Sequence, residues 1–152
     1  MKNLESPALM DYIFEEYHIY LKTALPKLSD LVTTILRVHG PQHLELFEVH
    51  SLFHELKIGL DQHLIKEEVI LFPLLKDQAS QGEYGPILAA IEKDFVQIDS
   101  ILAELQEVTN DYQAPADGCG TYDLTYAKLA ELEQNTKAHL EVEKDILFPR
   151  FR

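Results

Sequence analysis

At 152 residues the chain has the length of about one domain, enough to bury most of its apolar surface. A formal charge of −13 with no offsetting basic run argues against nucleic acid and anionic membrane as partners. No signal-type segment opens the chain and no apolar run approaches the ~18 residues that span a bilayer. The one cysteine, Cys119, excludes an intrachain disulfide framework, and a reducing, cytoplasmic setting is expected.

Helix signals run from end to end. Ser6-Pro7 pairs an N-cap residue with a proline at the first helical position, and a helix is expected over about 7–39. Pro26 lies inside it and is expected to kink it or split it in two. Gly40-Pro41 and Gly85-Pro86 each join a helix-ending glycine to a helix-starting proline, so the second and third helices are expected over about 42–76 and 86–109. "NDYQAPADGCGT" (Asn110 to Thr121) is the clear loop, and Thr121 is the expected cap of a last helix over about 122–148.

Each segment carries an apolar stripe with alternating steps of three and four. The first reads Phe14, His18, Leu21, Leu25, Leu28, Val32, Ile35, His39, and the second Val49, Leu52, Leu56, Leu60, His63, Glu67, Ile70, Leu74. The third reads Ile87, Ile91, Asp94, Ile98, Ile101, Leu105, and the fourth Thr125, Leu129, Leu132, Thr136, His139, Glu143, Ile146. Long helices with short connections favour antiparallel neighbours, so the fold expected is all-α, a single domain built as an up-down-up-down four-helix bundle.

The stripes turn polar at His18, His63, Glu67, Asp94, His139 and Glu143. Two of these pairs sit in a repeat: "HLIKEEVILFP" (His63 to Pro73) and "HLEVEKDILFP" (His139 to Pro149) agree at seven of eleven positions. Bare charges in a bundle core are costly unless paired, protonated or metal-bound. Counting about 1.5 Å per residue from each turn places all six within about one turn of a single layer. His at i with Glu at i+4 puts a nitrogen and a carboxylate on one helix face. Three nitrogens and three carboxylates are too many for one tetrahedral zinc and suit two bridged mid-row ions, iron first and manganese second. Glu67 and Glu143 are the natural bridges, with His18, His63, Asp94 and His139 terminal.

The sequence resembles the hemerythrin-like HHE cation-binding domains, and within them the di-iron domain of the repair-of-iron-centres proteins. The resemblance rests on "YHIYLKTALPKLSDLV", "RVHG", "HLIKEEVILFPLLK", "GPILAAIEKD" and "HLEVEKDILFPR", spread over nearly all of the chain. It implies a four-helix bundle around a non-haem di-iron centre, oxo- or hydroxo-bridged, with ligands at His18, His63, Glu67, His139 and Glu143. It also implies a role in recovery of iron–sulfur clusters from nitrosative and oxidative damage, with O2 or NO as the small ligand. Where the family has a histidine after its "GPI" helix start, this chain reads Lys93-Asp94, so Asp94 is expected as a carboxylate ligand instead. The full-length repair proteins carry a cysteine-bearing domain ahead of the bundle; here only 17 residues precede His18, and thiol chemistry in cis is not expected.

Other polar residues are expected to be structural. His39 lies about 31 Å from His18 along a straight helix and reads as a helix-end histidine. His50 and His54 fall off the stripe, His43 has no obvious partner, and Glu68 should face water or a neighbour's rim. Tyr17 and Tyr20 read as packing, and Cys119 as a loop thiol. With no nucleophile–base pair in view, no catalytic residue is assigned. Redox chemistry on damaged clusters or diatomic gases competes with reversible O2 or NO binding, storage or sensing, in a monomer or a dimer.

Overall fold

The computed structural model describes residues 1–77 and 84–152, arranged as four helical rods. The first comprises α1 (Ser6–Ile13), a π-helical turn (Phe14–His18) and α2 (Ile19–His39). The second comprises α3 (Glu45–Ile65), a π turn (Lys66–Leu71) and α4 (Phe72–Lys76). The third is α5 (Gly85–Val108), unbroken; the fourth is α6 (Gly120–Val142), a π turn (Glu143–Leu147) and a closing 3-10 turn (Phe148–Phe151). Arg150 donates to the carbonyl of Leu4 at 2.8 Å and to Ser6 at 3.2 Å, and Arg152 pairs with Glu92. These contacts set the end of the fourth rod beside the starts of the first and third, as alternating up and down rods require.

Pro26 does not split the helix: α2 runs unbroken through it to His39. The proline is solvent-exposed, and so is Lys22, the residue whose carbonyl goes without its i→i−4 bond. At the first corner a Cβ on Gly40 would meet the Leu36 carbonyl oxygen within 2.3 Å, so this close approach admits only glycine. The expected helix-ending role of Gly85 falls differently: Gly85 opens α5 with Pro86 in its first turn, and the preceding turn lies largely outside the described residues. Cys119, rather than Thr121, stands at the N-cap of α6.

The three π turns explain where the stripes depart from expectation. A π turn holds one residue more than an α turn, so the buried face shifts by one position across it. Upstream of His18 the core takes Ile13 and Tyr17, while Phe14 is only half-buried. Beyond Glu67 it takes Leu71 and Leu75 instead of Ile70 and Leu74, and Ile70 is 50% exposed. Beyond Glu143 it takes Leu147 instead of Ile146. The first, second and fourth rods each insert their extra residue beside the buried polar residues, whereas α5 inserts none.

Candidate metal centre

That layer is where the polar residues lie. His18 closes the first π turn, Glu67 sits in the second, and Glu143 opens the third. His63 and His139 stand four residues before the two glutamates, on the last turns of α3 and α6. All five side chains are fully buried. π turns recur at functional sites because the widened backbone re-aims side chains that a regular helix would hold elsewhere.

The five converge. Glu67 Oε1 lies 3.0 Å from His18 Nε2, 3.1 Å from His63 Nε2 and 3.7 Å from His139 Nε2. Glu143 reaches His139 Nε2 at 2.5 Å and His63 Nε2 at 3.2 Å. One donor atom each from His18, Glu67, His139 and Glu143 lie within 4.8 Å of one another. All three imidazoles therefore present Nε2 to the same small volume. Aromatic rings wall all three: Phe72 stacks on His18 at 5.8 Å and Phe14 meets it edge-on at 6.0 Å, Tyr17 stacks on His139 at 5.0 Å, and Phe95 meets His63 edge-on at 5.3 Å.

Asp94 does not join them. Its carboxylate is about one-third exposed and pairs with Lys66. The inward position on α5 belongs to Phe95, which is 5% exposed and stacks on Phe148. From Ile91 a step of three leads to Asp94 and a step of four to Phe95; both then reach Ile98, and the ring, with the larger apolar surface, takes the core. The third rod, the one without a π turn, brings no carboxylate or imidazole to the layer.

Electrostatics follow from burial and proximity. Desolvation alone would lower the pKa of His63, but the carboxylates of Glu67 and Glu143 outweigh it and raise it well above the usual histidine value. His139 is raised for the same reason, with Glu143 the main opposing partner. Burial pushes Glu67 up, yet the charge on His63 and the close approach of the His139, His18 and His63 imidazoles bring it well below the usual carboxylate range.

The residues fit a bound cation. Glu67 Oε2 is buried without a hydrogen-bond partner, and His139 Nε2 and Glu143 Oε2, though close to neighbouring polar atoms, lack the geometry of a hydrogen bond. An unsatisfied buried polar atom costs about 1–3 kcal/mol, more when charged, and a metal ion removes the deficit at all three at once. Imidazole nitrogen with carboxylate oxygen, and no sulfur, suits mid-row divalent or trivalent ions.

A search of protein families matches residues 9–151 to the hemerythrin HHE cation-binding domain. This chain belongs to that family. Among curated relatives, the iron-sulfur cluster repair protein ScdA of Staphylococcus haemolyticus is 32% identical over 155 residues, covering 99% of this chain and 69% of that protein. The iron-sulfur cluster repair protein DnrN of Neisseria gonorrhoeae is 29% identical over 143 residues, covering 94% of this chain and 89% of its own length. The repair protein YtfE of Escherichia coli is 30% identical over 145 residues, and there the match spans only 64% of the relative. Among the described residues no helix is long and apolar enough to cross a membrane.

Several side chains outside the cluster hold partners that stripe reasoning did not foresee. Glu68 accepts from His18 Nδ1 at 3.0 Å, so it faces the site's rim rather than open water. His54 Nε2 meets Ser29 Oγ at 2.8 Å and His50 Nε2 meets Thr33 Oγ1 at 3.1 Å, so this pair bridges α2 and α3. His43 pairs with Asp117 at 3.0 Å, and His39 Nε2 lies 3.1 Å from Cys119 Sγ. The His39 contact, with the amides of Tyr122 and Thr121, brings the Cys119 thiol down to about 7. A stripe shows only which face points inward. Contacts along the rims between rods depend on rotation about each axis, which spacing within one rod does not carry.

Proposed function

We propose that this member of the hemerythrin HHE family is a non-haem di-iron protein that acts in the response to nitrosative and oxidative stress, in the repair of damaged iron–sulfur clusters. The observation that carries the reading is the convergence of three Nε2 atoms and two carboxylates in a buried, aromatic-walled layer. His18, His63 and His139 would supply nitrogen, and Glu67 and Glu143, lying between them, would bridge. Two irons so held supply one-electron chemistry and binding of O2 or NO. The protein's part is to fix the donors, through the π turns and the aromatic walls, and to exclude bulk water.

The relatives named as iron-sulfur cluster repair proteins support the repair role. A groove of about 630 Å³ between α5 and α6 has Phe95 and Leu140 among its lining residues, and Phe95 stands between it and His63.

Metal analysis with a near-ultraviolet spectrum, on protein produced in iron-sufficient medium, tests the reading. About two irons per chain with oxo-to-iron charge-transfer bands are expected; zinc alone, or no metal, would overturn it. The aromatic enclosure also favours a second reading, reversible O2 or NO storage or sensing. A stable adduct that releases its gas unchanged selects that reading, and restored activity of a damaged iron–sulfur enzyme selects repair.

A further inference from the structure

Three groups outside the cluster form a closed chain onto one of its histidines. His18 offers Nε2 to Glu67 at 3.0 Å and Nδ1 to Glu68 at 3.0 Å. Two consecutive acids of one π turn thus grip the two nitrogens of one imidazole. Successive side chains on a helix diverge by about 100°, so adjacent acids straddle a ring that approaches between them. Lys22, four residues after His18 and on the same face of the first rod, donates to the other oxygen of Glu68 at 2.7 Å. Its ammonium also lies 4.9 Å from the centre of the Phe14 ring, which limits its swing.

The other two histidines have nothing comparable. His63 Nδ1 and His139 Nδ1 are buried with no hydrogen-bond partner among the described residues, so on the outer nitrogen these rings meet only packing. Glu68 is 23% exposed, against none for His18, so it bonds from the rim inward. A carboxylate on the outer nitrogen of a ligating histidine fixes both the tautomer and the ring's orientation, and makes the inner nitrogen a better donor. With Nδ1–H given to Glu68, Nε2 is the nitrogen that would give up its proton, now facing Glu67, and turn its lone pair to a bound ion.

We infer that Glu68 is a positioning residue for the metal centre: it holds the His18 ring with Nε2 turned into the layer, and Lys22 holds Glu68. This inference rests on the di-iron reading. It makes the centre unequal, with one histidine held at its outer nitrogen by a carboxylate and two that meet only packing there.

The test is titration of metal-free protein with ferrous iron under anaerobic conditions, alongside thermal unfolding of each metal-free variant. Alanine is a strong helix former and position 68 is partly exposed, so Glu68→Ala is expected to fold. Its dissociation constant for iron is expected to rise about 10- to 100-fold, while the metal-free melting temperature falls by only the roughly 2–4 °C per kcal/mol that loss of the Lys22 and His18 contacts entails. Glu68→Asp keeps the charge but stops a methylene short of Nδ1, and is expected to weaken binding as alanine does. Glu68→Gln keeps an acceptor oxygen in reach and is expected to restore affinity toward wild type. Wild-type affinity in either the Ala or the Asp variant overturns the inference, as does a Gln variant as weak as Ala. An equal drop in metal-free stability across all three variants would mark Glu68 as structural only. Wild-type protein that takes up no iron would sink the di-iron reading as well, so the two failures are told apart.

Discussion

Asp94→Ala separates the ligand that residue spacing suggests from the ion pair that the bundle forms. Asp94 is 31% exposed and its partner Lys66 40%. Two unit charges at ~4 Å attract by about 4 kcal/mol at an effective dielectric near 20. Solvent screening and the entropy of holding a lysine leave an exposed pair at about 0.2–1 kcal/mol. For a chain of this length 1 kcal/mol moves the melting temperature by about 2–4 °C, so the variant should melt within that margin of wild type. Its iron content should be unchanged. A true ligand behaves otherwise: an ion present at 100 times its dissociation constant stabilises by about 2.7 kcal/mol, and its loss would lower the melting temperature by roughly 5–11 °C. Inductively coupled plasma analysis and differential scanning calorimetry of the two proteins, prepared in parallel, read both quantities. Half the iron, or a fall in that larger range, would refute the placement of Asp94 outside the centre.

Other consequences are equally direct. Once metal is removed by chelation, His63 and His139, raised by their carboxylate neighbours, contribute stability that is full below 6.5 and lost as pH rises through their folded values. Glu67, held low, contributes stability present above 4.5 and lost as pH falls through its folded value. Metal-free protein should therefore melt highest between about pH 4.5 and 6.5 in a thermal-shift series, whereas iron affinity should rise with pH as protons cease to compete; a metal-free optimum at alkaline pH would contradict this. Cys119 should react with iodoacetamide at a rate that rises through about pH 7, and His39→Ala should move that midpoint toward the ordinary thiol value of 9.0; an unmoved midpoint would rule out the His39 contact. Deleting Val69, which is 68% exposed within the second π turn, removes the extra residue while leaving Leu71 and Leu75 in phase with the core. Circular dichroism should show a folded bundle, and iron titration a weakened site; unaltered iron affinity would show that the π turn does not aim Glu67.

His63, Glu67, His139 and Glu143 were legible because each pair sits at i and i+4 in a repeated motif, and an interrupted apolar stripe is a local, one-dimensional signal. His18 was legible from the same stripe logic, since the counts from Gly40-Pro41 set it level with His63. The rod count and antiparallel order followed from the turn residues. The chain's own pattern therefore determined four rods, an acidic surface, and which faces carry nitrogen and carboxylate into the core. Tertiary structure decided the rest. Whether Asp94 or Phe95 points inward depended on what His63 and Phe148 left vacant, and the one-residue slips at Phe14, Ile70 and Ile146 depended on three π turns stacking in one layer. Glu68 against His18, and His39 against Cys119, are contacts between rods distant in sequence. Periodicity fixes a side chain's angle about its own axis, but only packing sets the rotation of one rod against the next.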